Sequence, residues 1–122
     1  MKNIVIITTF LMASLSFAQN KNAKISFEVD GVCMMCKDRI EKACIKTKGV
    51  KSAIWDVNTH QLSLIYNEKK TNLEAIKSNI LAAGHDLSDQ KAPDVAYDAL
   101  HPCCKYRDEE VLDDHKKEEE KE

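Results

Sequence analysis

Two cysteines separated by two residues, Cys33 and Cys36, stand where an alternating strand pattern gives way to a helical one. Thiolate sulfur is the ligand that soft ions such as Cu(I) prefer. A helix N-terminus lowers the pKa of a nearby thiol through its dipole and its free N–H groups, which favours the metal-binding thiolate. A closed structural zinc site usually has four ligands. Two thiolates in one loop therefore suit low-coordinate Cu(I) and leave room for a partner's sulfur.

A second cysteine pair, Cys103 and Cys104, lies near the C-terminus and directly follows His101-Pro102. Adjacent cysteines rarely bridge each other, because a disulfide between them strains the intervening peptide. The pair can supply extra thiolates to a metal held by Cys33 and Cys36, bind a metal separately, or form a disulfide with another cysteine. These four cysteines are the candidate metal ligands of the chain.

The segments that must position these residues follow strand and helix patterns in turn. The order is strand, helix, strand, strand, helix and a short, weak fourth strand. The patterns are centred on residues 25–29, 36–47, 53–57, 62–66, 72–83 and 85–88. This order predicts an α+β fold, a ferredoxin-like βαββαβ sandwich with two helices on one face of an antiparallel sheet. A cysteine-containing C-terminal extension would follow it.

The predicted topology places three connections at one edge of the sheet. The loop after the first strand, the hairpin between the second and third strands, and the segment after the second helix all reach that edge. Cys33, Cys36, His60 and His85 fall on these connections. A lone histidine on a loop is more often solvated than bound to a metal, so the two histidines are weaker candidates than the cysteines.

Three further soft side chains have ordinary structural interpretations. Cys44 falls on the apolar stripe of the first helix and is interpreted as a small buried hydrophobe without a metal role. Met34 and Met35 lie between the paired cysteines. Thioether sulfur can bind Cu(I), but these side chains are interpreted as an apolar collar for docking a partner.

The first residues have the pattern of a secretory signal peptide, with Lys2, an apolar run and a small-x-small site at Ser16-Phe17-Ala18. The alternative is an N-terminal anchor that is never cut. We expect cleavage before Gln19, a secreted or periplasmic protein, and no stable membrane anchor after cleavage. The expected organisation is a signal peptide at 1–18, a domain at 19–90, an extension at 91–107 and a charged tail at 108–122. We expect Val95 and Leu100 to pack as an appendage, and the tail to be either a solvated helix or disordered.

Charge and cysteine number restrict the function further. Residues 108–122 carry nine acidic and three basic side chains, whereas residues 19–107 carry 14 basic and 11 acidic ones. No basic stripe interleaved with aromatic residues is present, so a nucleic-acid partner is not expected. Disulfides persist outside the cytosol, but five cysteines is an odd number. At least one must be free, metal-bound or paired between molecules.

Four sequence segments together resemble the heavy-metal-associated domain. They are FEVDGVCMMC at 27–36, IEKA at 40–43, KGVKSA at 48–53 and ILAAGH at 80–85. This is the fold of small copper chaperones, of the periplasmic mercury-binding protein and of the N-terminal modules of copper-transporting ATPases. The resemblance implies that Cys33 and Cys36 bind the metal. Gly31 departs from it, because the family usually has methionine there, and we expect Val32 to supply the anchoring contact instead.

The sequence thus predicts an exported carrier of a soft metal that exchanges ligands with a metal-donor or metal-acceptor protein. Cu(I) is the favoured ion, although two thiolates would also accept Hg(II), Zn(II) or Cd(II). The carrier would be a monomer or a metal-bridged dimer. The sequence shows no nucleophile–base–orienter set, so an enzyme is not expected. Two alternatives stay open: a thiol–disulfide exchange protein using Cys33 and Cys36, and a structural domain with its cysteines in disulfides.

Overall fold

The computed structural model describes residues 18–121, so the predicted signal peptide lies outside the described residues except at its last position. The regular elements are β1 Ala23–Glu28, α1 Met34–Ile45, β2 Val50–Trp55, β3 Gln61–Tyr66, α2 Leu73–Ala82, α3 Asp94–Asp98, a 3-10 turn Pro102–Cys104, and α4 Glu109–Glu119. The three strands form an antiparallel sheet in the order β1-β3-β2. Within residues 18–121, no helix has the length and apolar character needed to cross a membrane.

The fold confirms the predicted α+β, ferredoxin-like arrangement, with its fourth strand reduced to a single bridge. Val29, just after β1, pairs antiparallel with Leu87. The Leu87 N–H then donates to the Gln90 carbonyl at 2.8 Å. The chain therefore turns away from the sheet directly after this bridge. The residues that follow form the C-terminal extension instead of a full fourth strand.

The two main helices bury the stripes that their sequences predict. In α1, four residues are buried, namely Cys36, Ile40, Ala43 and Cys44. The α2 helix begins at Asn72, whose side chain accepts a hydrogen bond from the Ala75 N–H at 2.8 Å. It ends before Gly84, which has a φ of +100°. This left-handed conformation is the usual way for a glycine to end a helix.

The extension after residue 90 packs on the same core as the sandwich. Ala92, Leu100 and Tyr106 are all buried. The expectation that Val95 packs with Leu100 is wrong for Val95, which is 84% exposed. Val95 lies on α3, whereas Leu100 lies beyond the residue that ends this helix, so the direction of one side chain does not fix that of the other.

The charged tail forms a helix, which is one of the two outcomes expected for it. Asp108 caps the start of α4, accepting a hydrogen bond from the Glu110 N–H at 3.0 Å. No residue of α4 is fully buried, but Leu112 and His115 are half-buried. The tail is therefore not wholly surrounded by solvent.

Candidate metal centre

The first cysteine pair lies at the N-terminus of α1, as predicted. Cys33 occupies the position just before the helix, and Cys36 lies in its first turn. Their Sγ atoms are 3.4 Å apart. Cys33 is half-buried, whereas Cys36 has no exposed surface. One sulfur is thus accessible at the edge of the sheet, and the other faces the core.

The second cysteine pair returns to the same edge from 70 residues further along the chain. The Sγ of Cys104 lies 3.2 Å from the Sγ of Cys33, and the Sγ of Cys103 lies 3.9 Å from it. All five cysteines of the chain are free thiols. The structure therefore brings together the four candidate ligands, while Cys44 stays apart in the core, fully buried within α1.

Three of these sulfurs have the spacing of a metal site. The Sγ atoms of Cys33, Cys103 and Cys104 form a triangle with sides of 3.2, 3.8 and 3.9 Å. The point equidistant from all three lies about 2.1 Å from each sulfur, close to the ~2.3 Å of a zinc–thiolate bond. A soft ion fits among them after sulfur movements of a few tenths of an ångström, roughly the tolerance on such bond lengths.

The thiols of the cluster differ in acidity. Burial acts to raise the pKa of Cys33, but the Cys36 backbone N–H and the neighbouring thiols that hydrogen-bond to its sulfur outweigh burial, and the pKa lies below its ordinary value. Burial raises the pKa of Cys36 well above that value. Burial, with Cys104 and Cys33 as neighbours, raises the pKa of Cys103 to about 12. Cys33 is thus the one of these three thiols that loses its proton most readily.

The extension is fixed to the sandwich by an ion pair beside the cluster. The Arg107 guanidinium donates from Nε and Nη2 to the two carboxylate oxygens of Asp86, at 2.9 and 2.7 Å. The Tyr106 hydroxyl donates to the Gly84 carbonyl at 2.7 Å and accepts from the Asp86 N–H at 2.9 Å. Burial acts to raise the pKa of Asp86, but the Arg107 hydrogen bonds outweigh it and lower that pKa. These hydrogen bonds therefore fix the segment that carries the second cysteine pair to the end of the sandwich.

The two predicted edge histidines lie near the cluster without joining it. His85 is fully buried, its Nδ1 lies 2.8 Å from the Asp30 carbonyl, and its ring stacks on Tyr106. Its Nε2 has no hydrogen-bond partner among the described residues. Burial lowers the pKa of His85 to about 4, so the ring is neutral and donates through Nδ1. His60 instead stacks on Trp55.

The space beside Gly31 is filled by Trp55. A Cβ on Gly31 would lie 3.0 Å from the Cys36 Cβ and 3.0 Å from two carbons of the Trp55 ring. The indole Nε1–H donates to the Val29 carbonyl at 3.0 Å. Val32 is half-buried and packs on the core, as expected, but the large side chain beneath the metal loop comes from β2.

Three contacts of Cys103 were not predicted from the sequence. Its Sγ lies 3.4 Å from the Sδ of Met35 and 3.2 Å from the Nδ1 of His101. Its carbonyl lies 3.1 Å from the Nε2 of His115, in α4. Met34, the other methionine of the loop, is 64% exposed. The position of His101 just before the cysteine pair makes it ligand-like in the sequence, but nothing in the residue pattern connects Met35 or His115 to a cysteine so far along the chain.

The comparison with known families covers the sandwich but not the C-terminal extension. The family model of the heavy-metal-associated domain matches residues 26–86. Cys33 and Cys36 lie within the match, whereas Cys103 and Cys104 lie beyond its end. The second cysteine pair is therefore an addition to the part of the chain that the family model describes.

Several of the similar proteins are copper proteins by name. The copper chaperone CopZ of Staphylococcus haemolyticus is 33% identical over 60 residues, which are 48% of this chain and 88% of the chaperone. A copper-exporting P-type ATPase of Staphylococcus saprophyticus is 31% identical over 71 residues, 57% of this chain but only 9% of the ATPase. The N-terminal domain of a potential copper-translocating P-type ATPase from Bacillus subtilis, solved in the Cu(I)-loaded state, aligns with a TM-score of 0.52 and 28% identity, over 54% of this chain and 84% of that domain.

Proposed function

This chain belongs to the heavy-metal-associated domain family, and from that membership we propose that it is a Cu(I) carrier. From the pattern of its first 18 residues we propose that this carrier is exported. Cys33 and Cys36 bind the ion, and Cys103 and Cys104 join them. The observation that carries this proposal is the gathering of three thiols within 3.9 Å of the Cys33 sulfur. The similarity to a copper chaperone and to a Cu(I)-loaded ATPase domain supports copper as the cargo.

The carrier works by exchanging ligands. Cys33 has a lowered pKa and a half-buried sulfur, so its thiolate binds Cu(I) first. Cys36 loses its proton as the ion arrives, because metal binding displaces protons from thiols. A thiolate or thioether of a partner protein then enters the coordination sphere as one of the carrier's sulfurs leaves. The ion moves between proteins without release to water, and no substrate is chemically transformed.

The Cys33→Ser/Cys36→Ser double variant tests the primary ligands. It should lose tight Cu(I) binding in an anaerobic competition titration against a chelator. It should keep its fold, because serine is close in size to cysteine and most of the core that surrounds Cys36 is supplied by Trp55, Leu64, Ile76 and their neighbours. Circular dichroism and thermal unfolding verify the fold. Undiminished Cu(I) affinity in this variant would overturn the proposal.

The Cys103→Ser/Cys104→Ser double variant tests the second pair. X-ray absorption of the Cu(I)-loaded proteins should find fewer sulfur neighbours around the ion in this variant than in the wild type. Cys44→Ala is the matched control, since it also removes a buried sulfur but lies away from the cluster. An equal number of sulfur neighbours and equal affinity in wild type and double variant would confine the site to Cys33 and Cys36.

The exported location rests on the first 18 residues of the sequence. N-terminal sequencing of the protein recovered from its own compartment should find Gln19 as the first residue. Recovery of the chain with Met1 or Asn3 still attached would overturn export by cleavage. This outcome would leave the metal chemistry of the cysteines untouched.

A thiol–disulfide exchange protein is the second candidate, and one observation favours it. The accessible Cys33 has a lowered pKa and the buried Cys36 a raised one, which is the division between an attacking thiol and a resolving thiol. A redox titration of the two thiols together with an insulin reduction assay separates the candidates. Rapid catalytic reduction of insulin, with no tight Cu(I) binding, would favour exchange over transport.

A further inference from the structure

The sulfur atoms of the site divide into a buried set and an outer set. Cys33 is the centre of the buried set, 3.4 Å from Cys36 and 3.2 Å from Cys104, both of which have no exposed surface. Cys103 is the centre of the outer set, 3.4 Å from the Sδ of Met35 and 3.2 Å from the Nδ1 of His101. Met35 is 46% exposed and His101 is exposed, so the outer set faces solvent.

The outer set combines three kinds of ligand atom: a thiol, a thioether and an imidazole nitrogen. Thioether sulfur is a soft, neutral ligand that selects Cu(I) over Zn(II), and imidazole also binds copper. The Cys103 N–H donates to the Nδ1 of His101 at 3.3 Å. The lone pair of that nitrogen therefore points towards Cys103, and the ring proton is on Nε2. The imidazole is therefore in the tautomer that a metal at Nδ1 requires, and an ion that binds there takes the lone pair in place of the Cys103 N–H, which is released.

Several elements of the fold hold these three groups in place. Met35 lies in the first turn of α1. His101 immediately precedes the 3-10 turn and caps it, because its side chain accepts the Cys103 N–H. On the far side, the Nε2 of His115 in α4 lies 3.1 Å from the Cys103 carbonyl. The extension that carries the cysteine is in turn fixed by Arg107 and Asp86. The juxtaposition is therefore built by several elements rather than by one loop.

We propose that Met35, His101 and Cys103 form a second, outer subsite for Cu(I), which fills when a second ion arrives: Cys103 then passes from the first ion to the second, and Cys33, Cys36 and Cys104 keep the first. This inference rests on the proposed function and deepens it, because a thioether ligand commits the cargo to Cu(I). Binding forms a Cu–S bond to Cys103 and releases the thiol proton to solvent. One thiolate and two neutral ligands carry a total charge of −1, which neutralises the +1 charge of Cu(I) and no more. The outer ion is therefore held more weakly than the inner one and exchanges first with a partner.

An anaerobic Cu(I) titration of the full chain, followed by native mass spectrometry, tests the subsite. The wild type should bind two Cu(I) ions, and X-ray absorption should show that the second equivalent adds nitrogen as well as sulfur neighbours. The Met35→Leu/His101→Gln variant should bind the first ion with unchanged affinity and the second at least tenfold more weakly. Both side chains are substantially exposed, and the glutamine oxygen keeps an acceptor for the Cys103 N–H that His101 caps, so this variant should fold normally.

The matched control is Met34→Leu/His60→Asn. It also removes one methionine of the metal loop and one histidine from the same edge of the sheet. Neither residue lies among the groups that meet at Cys103. This control should still bind two ions with affinities equal to those of the wild type.

Two results would overturn the subsite. One is a wild type that stops at a single Cu(I) ion. The other is a Met35→Leu/His101→Gln variant that binds the second ion as tightly as the wild type, which would leave the contacts of Cys103 as ordinary packing. Failure of the proposed function looks different, because the first equivalent would then be absent or insensitive to Cys33→Ser/Cys36→Ser.

Discussion

The Arg107 guanidinium and the Asp86 carboxylate form a two-pronged ion pair, with N–O distances of 2.7 and 2.9 Å, that joins the end of the extension to the end of the sandwich. Asp86 lies just before the single bridge that replaces the fourth strand. Arg107 lies three residues after the second cysteine pair. The position of the two added sulfurs therefore depends on a contact that involves no sulfur.

The Arg107→Lys variant should weaken this connection while keeping the charge. A lysine ammonium cannot form the same two-pronged contact, so we expect a loss of about 2 kcal/mol in the free energy of unfolding. The variant should also lower the number of sulfur neighbours that X-ray absorption finds around Cu(I). Lys42→Gln is the control: it breaks an ion pair with Asp38 that is well exposed on both sides, and should cost under about 0.5 kcal/mol. Equal losses in the two variants would contradict the role of Arg107.

The Cys44→Ala variant should leave the Cu(I) stoichiometry unchanged. Cys44 is fully buried on α1, and burial raises its pKa to about 12, so the thiol stays protonated in the core. The loss of one buried sulfur should reduce the free energy of unfolding by about 1 kcal/mol. Urea unfolding and native mass spectrometry measure the two quantities. A fall in bound copper would show that Cys44 takes part in the site.

The stability of the protein should fall on mild acidification because of His85. Burial lowers its pKa to about 4, so the native ring stays neutral while the unfolded chain takes up a proton below about pH 6.5. The full contribution of this group is present above pH 6.5 and is lost between there and pH 4. From pH 7 to 5 the free energy of unfolding should fall by about 2 kcal/mol through this group alone.

The His85→Phe variant isolates this effect. The nearby Arg39 and Asp86 act on the pKa of His85 in opposite directions and are both retained. Phenylalanine keeps an aromatic ring against Tyr106 but cannot take up a proton. Urea unfolding at pH 7, 6 and 5 should show a shallower slope in the variant than in the wild type. An unchanged slope would assign the pH dependence to other groups.

A double-mutant cycle on Gly31 and Trp55 tests how the metal loop is supported. Gly31→Met restores the residue usual in the family but forces atoms into the Trp55 ring, and should cost more than about 2 kcal/mol. Trp55→Leu should cost about 3 kcal/mol, as a large core truncation. The combined variant should be more stable than the sum of the two losses implies, by at least about 1 kcal/mol. Additive losses would show that the two side chains do not share one space.

The sandwich could be predicted because its signals are local. The alternating patterns at 53–57 and 62–66 correspond to strands that bury Trp55 and Leu64, and the helical pattern at 72–83 matches the helix that Asn72 caps and that ends before Gly84. Each of these signals depends on residues within one turn or one strand. The first cysteine pair was equally recognisable, because its loop and its helix are adjacent in sequence.

The rest of the site depends on contacts between distant residues. The sequence allowed Cys103 and Cys104 to return to Cys33 but did not require it, since the chain length permitted other paths. What directs the return is Arg107 meeting Asp86, and an ion pair formed across 21 residues leaves no periodic signal. The failed expectation for Val95 has the same origin, because a helix of five residues offers too little pattern to determine its buried side.

Gly84 allows the sandwich and the extension to pack closely because it has no Cβ. A Cβ there would lie 2.7 Å from the Ala96 carbonyl oxygen and 3.0 Å from the Leu100 side chain, both in the extension. The glycine that ends α2 is therefore also a point at which the extension packs against the sandwich. A methyl group at this position would force the Ala96 backbone away from the end of α2, and so displace the segment that carries Cys103 and Cys104 without altering any sulfur. The number of sulfurs that can reach one ion is thus set by how closely two stretches of backbone approach, at a residue that has no side chain.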